Sequence, residues 1–309
     1  MYDILIVGGG TAGLSAAIYG VRAGKKVIVL EKKNYGGQIV NSPEIVNYPG
    51  IAKVSGFEFA RGLYEQAMSL GAEYRTGRVI HIEHIESENT MYWQVLASKA
   101  DGAVQEYEAR TVILATGAKN RPLGVRREEE LIGAGVSYCA TCDGMFYRGK
   151  DVAVVGGGNT ALEDAMFLTG YCRKVYLIHR REGFRGEEKL LEALREKENI
   201  TFVLNSVVEE LAGDTALSGI TIRDVVSGEQ TVLSVSGLFV AIGQMPDNSD
   251  FEQLIELDEK GYIQAAEDCK TATPGIFTAG DCRTKTVRQL ATAASDGAVA
   301  ALAACELIG

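Results

Sequence analysis

Three observations predict an α/β chain of two Rossmann-like (three-layer ββα) domains, the second inserted into the first. Two apolar strands each run into a glycine-rich turn and a helix, at residues 3–13 and 151–161. Residues 3–33 align with 151–181 without a gap at a constant offset of 148, and nine of the 31 positions are identical. A repeat of that length is a whole supersecondary unit, not a solenoid period. The third observation is a pair of apolar strands that end at glycine and meet proline soon after: Thr111-Val112-Ile113-Leu114-Ala115-Thr116-Gly117, and Leu238 through Gly243 to Pro246. Taken as crossings, they give one discontinuous domain, residues 1–117 and 244–309, and an inserted domain, residues 118–243.

The first unit opens D-I-L-I-V-G-G-G-T-A-G, a buried strand leading into G-x-G-x-x-G at Gly8, Gly10 and Gly13. In such a motif the first glycine makes the tight turn. The second lets backbone N–H groups reach a pyrophosphate, and the third lets helix and strand pack closely. A helix over residues 14–23 and a second apolar run over 27–30 end at Glu31, 23 residues after Gly8, where an acid binds ribose hydroxyls. The copy keeps Gly156 and Gly158 and puts Ala161 at the third position. It replaces Glu31 by His179 and Lys32-Lys33 by Arg180-Arg181, with Arg185 close behind. A carboxylate repels a 2′-phosphate, whereas guanidiniums bind it bidentately. The first unit is therefore expected to hold an adenine dinucleotide with a free 2′-hydroxyl and the second NADPH, with His179 packing near the adenine. The plainer reading of the arginines is a solvated basic run.

Residues 74–112 are rich in β signals. Beyond the second crossing, Gly275-Ile276-Phe277-Thr278-Ala279-Gly280-Asp281 reads as a strand ending in a carboxylate that could bind a chain of hydroxyls. An alanine-rich helix beginning near Val287 would turn its positive N-terminus toward an anionic group such as a reduced flavin. A routine strand–turn–helix fits these residues equally well.

Ser137-Tyr138-Cys139-Ala140-Thr141-Cys142-Asp143-Gly144 carries two thiols separated by two residues. Such a pair can close and reopen a small disulfide ring, and one sulfur is often a reactive thiolate. Asp143 stands where a carboxyl could exchange a proton with a leaving thiolate. Half a zinc site is the alternative, but four ligands are needed, and Cys172, Cys269, Cys282 and Cys305 are isolated. His81 and His84, among Glu83 and Glu86, lack a third ligand, so no metal is expected.

The net charge of −10, from 31 basic and 41 acidic side chains among 309 residues, argues against nucleic acid and against an anionic membrane surface. No apolar run is expected to approach the roughly 18 residues that span a bilayer. The opening Met1-Tyr2-Asp3-Ile4-Leu5 reads as a strand with no signal peptide ahead of it, so a cytoplasmic location is expected. In that compartment a cysteine pair is more readily catalytic than structural.

Together these residues resemble the low-molecular-weight, bacterial-type thioredoxin reductases over essentially the whole chain. The motifs that carry the resemblance are Gly8 to Gly13, Gly36-Gly37-Gln38, Cys139 to Gly144, Gly156 to Ala161, His179-Arg180-Arg181 with Phe184-Arg185, and Gly280-Asp281 with Arg288-Gln289. The resemblance implies an NADPH-dependent homodimeric flavoprotein that reduces thioredoxin through a Cys139–Cys142 disulfide. Cys142 would face the flavin, Cys139 would attack thioredoxin, and Asp143 would handle the proton. It implies an FAD site at Gly8, Gly10, Thr11, Ala12, Gly13, Glu31, Lys32, Gly36, Gly37, Gln38, Asn47, Thr116, Gly117, Asp281, Arg288, Gln289 and Leu290. The NADPH site would comprise Gly156, Gly158, Asn159, Thr160, His179, Arg180, Arg181 and Arg185. Many relatives carry an arginine, associated with docking of the protein substrate, where this chain has Ala134 between Gly133 and Gly135. Alternatives are a related flavoprotein disulfide reductase serving a glutaredoxin-like or peroxiredoxin partner, or one using another electron donor. Because the dithiol and the nicotinamide ride on one inserted domain, that domain is expected to rotate about Gly117 and Gly243.

Overall fold

A computed structural model of the chain describes residues 1–309 except Pro43, Glu88 and Asn89. In chain order the elements are β1 (Tyr2–Val7), α1 (Thr11–Arg22), β2 (Val27–Glu31), α2 (Gly56–Ser69), β3 (Glu73–Thr76), β4 (Arg78–Ser87), β5 (Thr90–Ser98), β6 (Val104–Leu114) and β7 (Ala118–Asn120). There follow β8 (Val136–Ser137), α3 (Ala140–Asp143), β9 (Asp151–Val155), α4 (Asn159–Thr169), β10 (Lys174–Ile178), α5 (Glu188–Arg195), β11 (Ile200–Val203), β12 (Ser206–Ala212), β13 (Gly219–Asp224), β14 (Gln230–Leu233) and β15 (Gly237–Val240). Last come β16 (Gln244–Pro246), β17 (Ile276–Thr278) and α6 (Leu290–Ile308). The chain divides into two compact units, Met1–Lys119 with Met245–Gly309, and Asn120–Gln244. The cuts lie one or two residues from the crossings read in the sequence.

In the first unit the strand order is β3-β2-β1-β6-β5-β4, with β17 on the other edge of β6. β6 is long enough to serve three partners. Its first half pairs antiparallel with β5, and its second half pairs parallel with β1 and β17. Strand side chains alternate between faces, and both faces here are covered, so β1 is apolar and buried from Ile4 to Val7. Ile4 and Ile6 join the cluster that includes Leu14, Ala17 and Ala300 from the helices, while Leu5 and Val7 join Val95, Val112 and Ile276 on the opposite side. The second unit repeats the plan. Its parallel sheet runs β11-β10-β9-β15-β8, with Val152 and Val154 facing one cluster and Ala153 and Val155 the other. The antiparallel β12-β13-β14 forms its third layer. The mixed parallel-and-helical layers agree with the α/β class expected from the glycine turns.

Two expectations about the tail need correction. The alanine-rich helix starts at Leu290, not near Val287. Gln289 keeps an extended backbone as the N-cap, and Thr292 bonds back to its N–H (3.1 Å), which fixes the first turn three residues later. Second, α6 spans 19 residues with a mean hydropathy of 1.4, so among the described residues one helix is long and apolar enough to cross a membrane. Alanine is its commonest residue and Asp296 and Glu306 interrupt it, which conceals the run from a search for large apolar residues. The helix packs in the core of the first unit. Ala300, Ala301 and Ala304 are fully buried. A Cβ at Gly297 would come 2.1 Å from the Ala12 carbonyl oxygen, so only glycine permits this approach to α1.

Candidate active site

The β1–α1 turn is set by contacts that only glycine allows. Gly8 has φ +111°, and a Cβ there would meet the Ala115 oxygen at 2.2 Å; one at Gly13 would meet the Gly8 oxygen at 1.9 Å. A Cβ at Gly10, between them, would meet only Gly36 and Gly37, at 4.0 Å. Gly10 is also the N-cap of α1, with no side-chain cap and no acid in the first turn. Such a helix end presents bare N–H groups and a positive dipole to a phosphate. The second copy matches it: Gly158 caps α4 without a side chain, has nothing within 4 Å, and no acid follows in the first turn.

Around the first turn the structure gathers the other residues proposed for a flavin. Glu31, at the end of β2, accepts the Gly9 N–H (2.8 Å) and the Lys33 N–H (2.9 Å), which aims its carboxylate at the turn. A cleft beside it is lined by Gly8, Leu30, Val79, Thr116 and Phe251. Gly36 bridges Gly10, and its N–H bonds to the Gly9 oxygen (2.7 Å), bringing Gly37 and Gln38 against the turn. Gln38 donates to the Ala118 oxygen. Asn47 donates to Gln289 (3.2 Å), which draws it to the start of α6 beside Leu290. Thr11 and Ala12 are buried in the first turn of α1. Lys32 pairs with Asp247, as does Lys119 (3.2 Å). Thr116 donates to Asn248 (2.7 Å), and Gly117, with φ +71°, begins the crossing.

Asp281 follows Gly280 on the turn after β17. Its Oδ1 is shielded from solvent and has no hydrogen-bond partner among the described residues. Burial pushes this carboxyl above its usual range, against the pull of Lys285 and Arg288. A buried, unsatisfied acceptor is costly, and a sugar-alcohol hydroxyl would satisfy it. Arg288 lies over the Tyr262 ring, 4.2 Å from its centroid, and reaches the Asp281 carbonyl oxygen at 3.4 Å. These groups fit a flavin dinucleotide: an open phosphate turn, a ribose acid and an orphaned acceptor share one unit.

In the second unit His179 is buried under the turn, its ring stacked on Phe184 (5.0 Å between centroids) and its Nε2 3.1 Å from the Gly183 oxygen. Burial lowers its pKa, against the bond to the Gly183 oxygen. A Cβ at Gly157 would lie 2.1 Å from that ring. The ring is walled in and cannot swing aside. Gly157→Ala is therefore expected to cost about 1–3 kcal/mol of stability by overpacking, read as a lower urea midpoint. A midpoint equal to that of the parent would show that the ring relaxes freely. Arg180, Arg181 and Arg185 are exposed, and no ion pair engages them among the described residues. The Arg185 N–H bonds to the Gly157 oxygen (2.7 Å), which folds the basic loop back onto the glycine turn. Asn159 exchanges two bonds with Glu187 (3.1 and 2.8 Å), and Thr160 stays exposed. Uncommitted guanidiniums beside an open helix end fit a phosphorylated pyridine nucleotide.

Cys139 and Cys142 form a disulfide, with Cα atoms 5.3 Å apart. Cys139 is the N-cap of α3 and Cys142 lies within it, so the pair is held by one turn of backbone. The Cys139 Sγ lies 3.4 Å from the Thr141 hydroxyl. Asp143 ends α3, and its Oδ2 accepts the Ser137 hydroxyl at 2.6 Å. Burial pushes the Asp143 carboxyl above its usual range, and the Ser137 bond opposes that. A redox disulfide with a carboxyl of raised pKa beside it can exchange electrons and protons with a bound partner.

The sequence matches the family described as pyridine nucleotide-disulphide oxidoreductase over residues 2–298. Thioredoxin reductase of Bacillus subtilis (strain 168) is 38% identical over 302 residues, covering 97% of this chain and 93% of the relative. The chain belongs to the thioredoxin reductases, within the pyridine nucleotide-disulphide oxidoreductases. Among solved structures, the thioredoxin reductase from Streptococcus pyogenes MGAS5005 superposes with a TM-score of 0.91 at 39% identity, covering 99% of this chain and 98% of that one. The bifunctional thioredoxin reductase/thioredoxin of Mycobacterium leprae (strain TN) is 40% identical over 304 residues, covering 98% of this chain and 65% of that protein. As a thioredoxin reductase family member the chain is an oxidoreductase that works with a flavin and a pyridine nucleotide.

Several structural residues of the site escaped the sequence reading. Asn248 is buried and donates to the Gly261 and Cys282 oxygens, both at 2.9 Å, while accepting from Thr116. Asp296 gathers Arg283 bidentately (2.9 Å twice), Lys285 (2.8 Å) and the Gly280 N–H (3.0 Å), and so fixes the turn that carries Asp281. The one available signal was Asp296 set among small residues in the first half of an alanine-rich helix. His81 lies 3.6 Å from Glu83, His84 packs on Trp93, and no cluster of three or more ligating residues occurs among the described residues.

Proposed function

We propose that this thioredoxin reductase uses FAD in the first unit and NADPH in the second, and that its Cys139–Cys142 disulfide passes electrons to thioredoxin. The observation that carries this reading is the contrast between matching turns, Glu31 bonded to one and, beside the other, three exposed arginines that no ion pair engages among the described residues. When bound, NADPH and FAD supply a hydride and then an electron pair to open the disulfide. The protein's own residues do the rest. The open helix ends of α1 and α4 hold the pyrophosphates. Glu31 selects a free ribose, and Arg180, Arg181 and Arg185 select a 2′-phosphate. Asp281 takes a hydroxyl of the flavin's ribityl chain, with Arg288, Gln289 and Leu290 alongside at the start of α6. The freed Cys139 thiolate attacks the thioredoxin disulfide, Cys142 resolves the mixed disulfide, and Asp143 exchanges the proton.

The fusion in the M. leprae relative supports thioredoxin as the partner, because its name joins the two activities in one protein. Both crossings carry a left-handed glycine, Gly117 at φ +71° and Gly243 at φ +104°, where a Cβ would meet nothing within 4 Å. They suit a hinge that lets the inserted unit turn between its electron donor and its protein acceptor. A homodimer in a reducing cytoplasm is the setting these chemistries favour. A visible-absorbance titration tests the scheme. The purified yellow protein is expected to bleach fully only with two equivalents of NADPH, one electron pair for the Cys139–Cys142 disulfide and one for the flavin, and to recover its colour on addition of oxidised thioredoxin. Colourless protein that cannot take up FAD would end the proposal, and recovery only with a glutaredoxin or peroxiredoxin would reassign the partner.

A further inference from the structure

Ser137 closes β8, two residues ahead of the disulfide, and is 3% exposed. Its hydroxyl proton has two acceptors within reach, the Asp143 Oδ2 at 2.6 Å and the Cys139 carbonyl oxygen at 3.4 Å. The shorter contact, to a carboxylate, wins by both distance and charge. The Ser137 Oγ in turn accepts the Cys139 N–H at 3.1 Å. Ser137 therefore stands between the backbone of one cysteine and the carboxyl that follows the other. It occupies Oδ2 only, and Oδ1 is left shielded from solvent with no partner among the described residues.

We propose that Ser137 is the positioning residue of the proton step, holding the Asp143 carboxyl in one orientation through Oδ2 so that Oδ1 alone exchanges the proton with the sulfurs. This rests on the reading of Asp143 as proton carrier. The Cys139 thiolate attacks one thioredoxin sulfur, the thioredoxin S–S bond breaks, and the departing thiolate takes the Asp143 proton. The Cys142 thiol returns a proton to Asp143 as its sulfur attacks Cys139. The mixed disulfide breaks, and the second thioredoxin thiolate is protonated by water. The enzyme dithiol loses two electrons and thioredoxin gains them. Without Ser137 the carboxyl can turn, and its acidic proton can sit on the wrong oxygen.

The surroundings make Asp143 sensitive to this one bond. With Cys139 and Cys142 joined, no charged side chain contributes to its shift; burial raises its pKa and the Ser137 hydroxyl lowers it. Tyr147 is the titratable group that feels its charge, with Cys172 beyond it. Glu163 and Asp164 on α4, the helix packed against α3, do not contribute. Removing the hydroxyl withdraws the lowering influence, so Asp143 stays protonated to higher pH. The limb of the rate profile that falls as the acid ionises then moves upward in pH.

The test measures thioredoxin reduction by the FAD-loaded enzyme across pH for Ser137→Ala, Ser137→Thr, Asp143→Asn and the Ser137→Ala/Asp143→Asn pair. Ser137→Ala is expected to lower kcat/KM for thioredoxin about tenfold, the scale of a hydrogen bond to a charged group, and to move the basic limb upward. Ser137→Thr restores both. In the Asp143→Asn background, Ser137→Ala is expected to cost nothing further. An equal loss in both backgrounds, or a profile that keeps its pH dependence, makes Ser137 a structural residue and overturns the inference. That double comparison decides even where threonine does not fit. If Asp143→Asn alone leaves the rate unchanged, the proton-carrier reading itself fails, and this inference with it.

Discussion

Cys142→Ser is expected to lower steady-state thioredoxin reduction by about 10³-fold or more, the scale on which loss of a covalent participant is felt, while leaving a covalent trap. Cys139, at the N-cap of α3, keeps its thiol and still attacks an oxidised thioredoxin. The partner sulfur that should resolve the adduct has become a hydroxyl, so the mixed disulfide persists. Gel electrophoresis without reductant would show one band at the summed mass, and a reducing agent would split it. Cys139→Ser should form no such adduct. Trapping by the Cys139 variant and not by the Cys142 variant would reverse the two roles. The folded state should survive either change, since Cys139–Cys142 closes only a three-residue step within one turn of chain.

Replacing Arg180, Arg181 and Arg185 together by alanine is expected to lower kcat/KM for NADPH by about 10²–10⁴-fold. Each charge-assisted bond to a phosphate contributes about 1.5–3 kcal/mol, and the three need not add fully. NADH, which lacks the 2′-phosphate, should change by no more than a few-fold. The parent enzyme's preference should weaken at high salt, and the variant's response to salt should flatten, because exposed charges are screened. Stability should hold, since these side chains are exposed and no ion pair engages them among the described residues. Equal losses for the two cofactors would remove the arginines from the phosphate site.

Much of this was legible in the sequence because each signal has a local cause. A Cβ at Gly13 would meet the Gly8 oxygen at 1.9 Å and one at Gly156 the Ala161 Cβ at 2.6 Å, both within the turn itself, so the fingerprint and the geometry coincide. The Cys139–Cys142 spacing lets one helical turn close the disulfide without help from elsewhere. What stayed hidden is long-range. Asn248 meets Thr116 across 132 positions, and Asp296 reaches back to Gly280, Arg283 and Lys285 from another element. The pairing of Ser137 with Asp143 spans six residues, yet it depends on where β8 ends and α3 begins. The start of α6 was misplaced because alanine-rich sequence sets no boundary. A polar cap did so, through Gln289 and Thr292. His179 was expected near an adenine, and its ring lies under Gly157, a glycine outside the fingerprint positions whose reason is tertiary.

The short ribbon of β7 and β16 has one more consequence. At its inner end Asn120 and Gln244 share a side-chain bond of 3.1 Å, and the Arg121 N–H reaches the Gly243 oxygen at 3.0 Å. The inserted stretch thus leaves and returns through a single doorway. A module whose two ends touch can be spliced into a host loop at little entropic cost. An ancestral copy of the glycine-turn unit could have been grafted there as a finished cassette, leaving the architecture of the recipient intact.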